Sequence, residues 1–236
     1  RAETRRVAAS AVAGLAPGAF ATWIESDVPI AAEGLTTWDT SRYGAGAERA
    51  VAPAATWYLA EGSTVGAFDL FYLLANPTDA EVAVDVTFLR PAPAVAIVQR
   101  HVIGARARLT LWVDTLDPQL ASTDVSAVIR TVEGAAIVVE RAMYRHDGSG
   151  RWGEAGHRAA GVSQPSATWH FAEGYVGAPF DTYLLIANPQ DRPASVDVDV
   201  LGADGVVGTV SRVVAPQSRL TLPARELGVP DGAAKS

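Results

Sequence analysis

Residues 56–62 read Thr56-Trp57-Tyr58-Leu59-Ala60-Glu61-Gly62, and residues 168–174 read Thr168-Trp169-His170-Phe171-Ala172-Glu173-Gly174. The second copy stands 112 positions after the first, and the agreement continues downstream at the same spacing. Phe68 to Pro77 reads F-D-L-F-Y-L-L-A-N-P, and Phe180 to Pro189 reads F-D-T-Y-L-L-I-A-N-P. A match this long is an internal repeat, and it sets the unit of the fold at about 110 residues.

Further landmarks recur outward from the motif. Glu81 to Phe88, E-V-A-V-D-V-T-F, places Val82, Val84, Val86 and Phe88 on one face. The second copy places Val196, Val198 and Val200 against Ser195, Asp197 and Asp199. Such period-2 alternation predicts a sheet with one buried and one wet face. Each buried valine is worth about 1.5–3 kcal/mol. Arg108-Leu109-Thr110 returns as Arg219-Leu220-Thr221, with Arg5 to Ser10 as an earlier counterpart. Phe20 to Glu25 and Pro29 to Glu33 match Val125 to Arg130 and Ala136 to Glu140. Residues 39–56 and 146–167, rich in glycine and without periodicity, read as long loops or linkers. Asp114 to Ala121 and Ala224 to Leu227 read as single helical turns, and no longer stretch carries a 3.6 period.

These segments predict an all-β chain of tandem immunoglobulin-like or fibronectin-like β-sandwich units, about seven strands each. Two divisions follow. One gives a unit over 1–105 and a second over 106–236. The other gives a partial unit over 1–50, a complete one over 54–160 and a partial one over 166–236. A half sandwich exposes an apolar face and unpaired edges. Residues 5–38 are therefore expected to pack with another part of the chain, or with a neighbouring chain by strand exchange.

Composition narrows the function. The chain has 236 residues, 49% hydrophobic and 19% charged, with a net charge of −7 and no basic block. A nucleic-acid surface is disfavoured. There is no cysteine, hence no disulfide, thiolate chemistry or sulfur-ligated metal. No apolar run approaches the roughly 20 residues of a membrane span, so the chain is not read as membrane-spanning. The one methionine is Met143, which suits a processed or excised chain. The alanine- and valine-rich stretch 7–24, behind Arg5 and Arg6, has a faint signal-peptide flavour, but it also matches the repeat and is broken by Gly14, Pro17 and Gly18.

No catalytic constellation stands out. His101, His146, His157 and His170 lack ligand spacing, and no nucleophile or phosphate-loop motif occurs. Glu61 with Asp69, repeated as Glu173 with Asp181, admits two readings: a carboxylate pair for Ca²⁺ or acid–base work, or acceptors for loop amides beside Gly62 and Gly174. Calcium takes roughly six to eight oxygen ligands, and no D-x-D-x-D-G loop supplies them, so no cofactor is expected and Ca²⁺ is the metal left to test. Arg6, Arg108 and Arg219 are candidates to anchor a loop carbonyl or carboxylate, with Glu61 or Glu173 as partners. Glu33 and Glu140 are candidates for edge salt bridges. Trp57 and Trp169, at matched strand starts, read as plugs of the sandwich ends. Trp38, Trp112 and Trp152 have no tryptophan counterpart and are the candidates for a ligand or partner contact.

The W-[YH]-[LF]-A-E-G … F-D-x-[FY]-x-L-x-A-N-P pattern, with the R-L-T steps and the A-I-V-V-E-R-A-M-Y strand at 136–144, resembles repeat domains of bacterial secreted and surface proteins of the DUF5719 kind. The resemblance covers most of residues 6–223. It departs at Gly34, where the pattern has arginine. It implies an extracellular, repetitive, non-catalytic β-domain serving as spacer, adhesin or surface-layer component. On this reading the chain is a structural part of an assembly, stalk, surface layer or filament, with self-association or neighbouring domains as partners. The alternative is an adhesion module that binds glycans or protein.

Overall fold

The computed structural model describes residues 5–37, 45–49, 51–146, 152–178 and 180–228. A short hairpin comes first: β1 (Glu33–Thr37) pairs antiparallel with β2 (Ala45–Arg49). Eight strands follow: β3 (Thr56–Leu59), β4 (Phe68–Ala75), β5 (Val82–Leu89), β6 (Ile97–Ile103), β7 (Arg108–Trp112), β8 (Ser126–Thr131), β9 (Val138–His146) and β10 (Trp152–Ala160). The last four are β11 (Tyr183–Asn188), β12 (Ala194–Gly202), β13 (Gly205–Val214) and β14 (Ser218–Pro223). Helical structure among the described residues is confined to 3₁₀ turns, including Val113–Thr115, Pro118–Leu120 and Ala224–Leu227. The described residues are all-β, and every strand ladder among them is antiparallel.

Two four-stranded sheets, β3-β8-β5-β6 and β10-β9-β4-β7, enclose one core in a β-sandwich-like arrangement. The alternation of β5 turns Val84, Val86 and Phe88 fully inward. Across the core stand Leu70, Tyr72 and Leu74 of β4, together with Val139 of β9. Residues 105 and 106, one of the expected boundaries, lie in the connection between β6 and β7. These two strands sit on opposite sheets of this single core.

The second copy repeats only part of this plan. β11 pairs with β14 and β12 with β13, as β4 pairs with β7 and β5 with β6. Among the described residues no strand takes the places of β8 and β9. Val196, Val198 and Val200 keep their alternation but are only half-buried. A small core of Val176, Leu222, Ala224 and Leu227 holds this half together.

One shared device locks both copies. The Asn76 amide donates from Nδ2 to the carbonyls of Ala80 (2.7 Å) and Gly104 (2.9 Å), while Oδ1 accepts from the Thr78 amide (2.9 Å). Asn188 does the same with Arg192 (2.8 Å), Ala215 (3.0 Å) and Gln190 (3.1 Å). The A-N-P motif therefore ties the turn after β4 or β11 to the connection before β7 or β14. Its asparagine acts as a staple, beyond the strand-ending role of its proline.

Several local expectations fail. Arg5–Ser10 and Phe20–Glu25 form no strand, although their counterparts are β7 and β8. A strand exists only with a partner, and among the described residues no ladder reaches these segments. Conversely, residues 45–49 and 152–160, read as loop, are strands. Both are edge strands dominated by glycine, alanine and charged residues, which carry no alternation to read. β10 also has a register shift between Trp152 and Ala155.

Candidate functional site

The A-E-G motif lies at one end of the central sandwich, where a polar cluster closes the core. Trp57 fills that end of β3. It is 2% exposed, and its indole N–H donates to the carbonyls of Ile137 (2.9 Å) and Ala54 (3.2 Å). Behind it, a Cβ at Gly161 would stand 3.1 Å from the Trp57 ring. The next residues turn into the loop. Ala60 offers its carbonyl to the Ser126 hydroxyl. Gly62 runs so close to β8 that a Cβ there would stand 2.5 Å from the Val125 carbonyl oxygen and 2.8 Å from Leu70.

Glu61 accepts an ion pair from Arg141 (2.5 Å), whose side chain is almost fully buried. Arg141 sits at an inward position of β9, between Val139 and Met143 and in register with Tyr72. A second contact of its guanidinium, 2.8 Å to Nδ1 of His157, requires that nitrogen to accept. Tyr72 is fully buried, and its hydroxyl finds no hydrogen-bond partner among the described residues. Burial pushes its phenol well above the ordinary tyrosine range, against the opposing pull of Arg141 and Arg219.

Arg219 reaches this cluster from β14. It is 3% exposed and donates to the Gly62 carbonyl (2.6 Å) and to the Thr221 hydroxyl (2.8 Å). Thr221 in turn donates to the Asp124 carboxylate (2.8 Å), which lies 3.8 Å from the guanidinium. Beside it the backbone N–H of Arg219 reaches the Arg90 carbonyl (3.3 Å). Burial lowers the pKa of Arg219, while Asp124, Tyr72 and Glu61 work the other way. A guanidinium nevertheless stays charged in proteins. The glycine carbonyl of one copy is thus the socket for the arginine of the next.

Glu61 and Asp69 do not form one carboxylate site. Asp69 alternates with Leu70 and Tyr72 and therefore lies on the outer face of β4. It accepts from the Trp112 indole N–H (3.1 Å). Trp112, 40% exposed, stacks on Phe71 with centroids 5.6 Å apart, and Tyr144 lies on the far side of Phe71 at 6.0 Å. Nearby, Asp114 accepts from the Leu70 amide (2.9 Å). Its carboxyl is pushed up by burial, with Asp69 adding to the rise. Among the described residues no group of three or more histidine, aspartate and glutamate side chains converges to hold a metal ion.

In the second copy Trp169 is 52% exposed and its indole N–H donates to the Ser166 carbonyl, so among the described residues it does not plug a sandwich end. Among the described residues no strand takes the place of β8, the partner of β3, and so Trp169 lacks the pocket that holds Trp57. Glu173 is exposed, and Asp181 lies 4.0 Å from Arg225. Glu140 pairs with Arg158 (3.0 Å), which also donates to Thr36 of β1. Trp38 lies outside the described residues, and Trp152 opens β10. Sequence reasoning missed Arg141, His157, Asp124 and Thr221. The available signal was Arg141 itself: an arginine at an inward position of an alternating strand demands a carboxylate.

No helix of the described residues is long and apolar enough to cross a membrane. No protein-family model matches the chain, and no curated protein matches it. Among solved structures, the crystal structure of Thermotoga maritima 1070 is similar at 15% identity and a TM-score of 0.42, over 48% of this chain and 96% of its own. The Anabaena sensory rhodopsin transducer is similar at 21% identity and a TM-score of 0.33, over 38% of this chain and 87% of its own.

Proposed function

We propose that this chain is a structural, non-catalytic repeat protein: tandem immunoglobulin-like or fibronectin-like units of an extracellular assembly, stalk, surface layer or filament. The units are a complete one over 54–160 flanked by partial ones over 1–50 and 166–236. The observation that carries the reading is the buried arginine clamp. The signature residues of the repeat serve its own core and the joint to the next unit: Trp57 seals the sandwich, Glu61 neutralises Arg141, and Gly62 accepts Arg219. A joint made through a buried charge-assisted hydrogen bond fixes the angle between units, as a spacer or stalk requires. Backbone ¹⁵N relaxation tests this. One common tumbling time for residues 54–160 and 166–228 supports a rigid joint, whereas separate times sink it.

A second reading, an adhesion module for glycans or protein, draws on the exposed Trp112 ring over Phe71, a geometry on which sugars stack. Glycan screening of the wild type beside Trp112→Ala distinguishes the two readings. Binding that disappears in the variant favours adhesion.

A further inference from the structure

We propose that residues 20–37 of one copy of this chain complete the open half-sandwich β11–β14 of a second copy. The proposal deepens the reading of a self-associating repeat protein and rests on it. Its two halves are separate observations on the same chain.

The donor half is residues 20–37. Their counterparts in the complete unit, Val125, Ile129 and Ile137, are fully buried core residues. Phe20, Ile24 and Ile30 are 48%, 59% and 59% exposed. The segment thus has the sequence of a core hairpin and the surroundings of solvent. β1 has already formed its ladder with β2, reproducing the pairing of β9 with β10.

The acceptor half is β11–β14. Among the described residues β11 pairs only with β14 and β12 only with β13. The vacant edge of β11 corresponds to the edge of β4 that holds β9. The vacant edge of β12 corresponds to the edge of β5 that holds β8. These are the two strands that residues 20–37 duplicate. Phe171 and Trp169, whose counterparts Leu59 and Trp57 are buried, are exposed at this half as well.

The complete unit also supplies the register. Phe71 opposite Ala142 becomes Tyr183 opposite Leu35, and Val86 opposite Ile129 becomes Val198 opposite Ile24. Within one chain no ladder or bridge joins 5–37 to 168–223 among the described residues. β1 is instead held at Arg158 on the edge strand β10, and β14 at Gly62. Each copy therefore offers one donor and one acceptor. Reciprocal exchange closes a dimer, and sequential exchange builds an open chain.

The chain's lack of cysteine makes the test direct. Leu35→Cys and Tyr183→Cys are made as separate single variants, mixed and oxidised. Opposed residues of a ladder lie within disulfide reach. The expected result is a mixed disulfide dimer in excess over both like-with-like dimers. Ile24→Glu, at a side chain 59% exposed in the single chain, should abolish association without lowering the stability of the central sandwich. Glu25→Arg should tighten association, because the register sets Glu25 against Asp197 where the complete unit sets Arg130 against Asp85. Light scattering separates the failures. Association without the mixed disulfide overturns the exchange and leaves the assembly reading standing. A monomer at every concentration, with no link, overturns both. A link that forms only within the double variant, Leu35→Cys with Tyr183→Cys, overturns exchange in favour of closure within one chain.

Discussion

Replacing Arg219 by alanine isolates the energy of the joint. The guanidinium is buried, donates to the Gly62 carbonyl at 2.6 Å and stands 3.8 Å from Asp124. A hydrogen bond from a charged donor contributes about 1.5–3 kcal/mol. Breaking a fully buried ion pair costs about 3–5 kcal/mol. The upper figure does not apply, because the Asp124 side chain is 31% exposed and rehydrates once its partner is gone. Nor does the variant orphan either acceptor: the Gly62 carbonyl keeps the Val125 amide at 2.9 Å, and Asp124 keeps the Thr221 hydroxyl. The loss is therefore about 2–3 kcal/mol. It falls on the attachment of β14 to the central sandwich rather than on the sandwich itself. Native-state hydrogen exchange reads it locally. Amides of residues 218–223 should exchange about 30- to 150-fold faster, since 1.4 kcal/mol is about a factor of ten. Amides of β8 should hardly change. Unchanged exchange in β14 would refute the clamp. An equal acceleration in β8 would show that Arg219 supports the core and not the joint.

Other predictions use the two copies as mutual controls. Trp57→Ala should destabilise the fold by about 3–5 kcal/mol in urea titrations, whereas Trp169→Ala should cost less than about 1 kcal/mol in the monomer. Gly62→Ala forces a Cβ onto the Val125 carbonyl and should cost about 1–3 kcal/mol. Gly174→Ala meets only Thr182, at 3.6 Å, and should be tolerated. Tyr72→Phe removes a buried hydroxyl with no partner among the described residues and should raise stability by up to about 1 kcal/mol at neutral pH. Because the folded phenol is held above its unfolded value, stability is intact below about pH 10 and falls as pH rises further. The gap between Tyr72→Phe and wild type should then widen by about 1.4 kcal/mol in all between pH 9 and pH 11, which denaturant midpoints over that range would reveal or exclude.

What could be read in advance follows the physics of each signal. Val82, Val84, Val86 and Phe88 announce their strand because one face is buried and the other wet. Short helical turns at Asp114–Ala121 and Ala224–Leu227 were legible for lack of any longer period, although the first stretch forms two 3₁₀ turns, Val113–Thr115 and Pro118–Leu120, rather than one. Residues 152–160 were not, because an edge strand of glycine, alanine and charge needs no apolar face. Phe20–Glu25 has the sequence of β8 yet no ladder, since pairing belongs to two segments and a sequence displays one. The same holds at the joint. Arg219 was visible as a recurring arginine with a loop carbonyl or carboxylate as candidate partner, but the choice of the Gly62 carbonyl, 157 residues away, depends on how two units meet. Trp57 and Trp169 look alike in sequence, and only the neighbours they are given separate a core plug from a surface ring.

The asparagine staple has a consequence for ageing. Asparagine decays to aspartate mainly when the amide nitrogen of the following residue attacks its side-chain carbonyl. Asn76 and Asn188 are each followed by proline, whose nitrogen carries no hydrogen and cannot attack in this way. Such a conversion would set a carboxylate against the Ala80 and Gly104 carbonyl oxygens that the amide now holds at 2.7 and 2.9 Å. The pairing of asparagine with proline thus shields the staple chemically. In the structural role proposed above, a residue whose obvious task is only to end a strand would also lengthen service life.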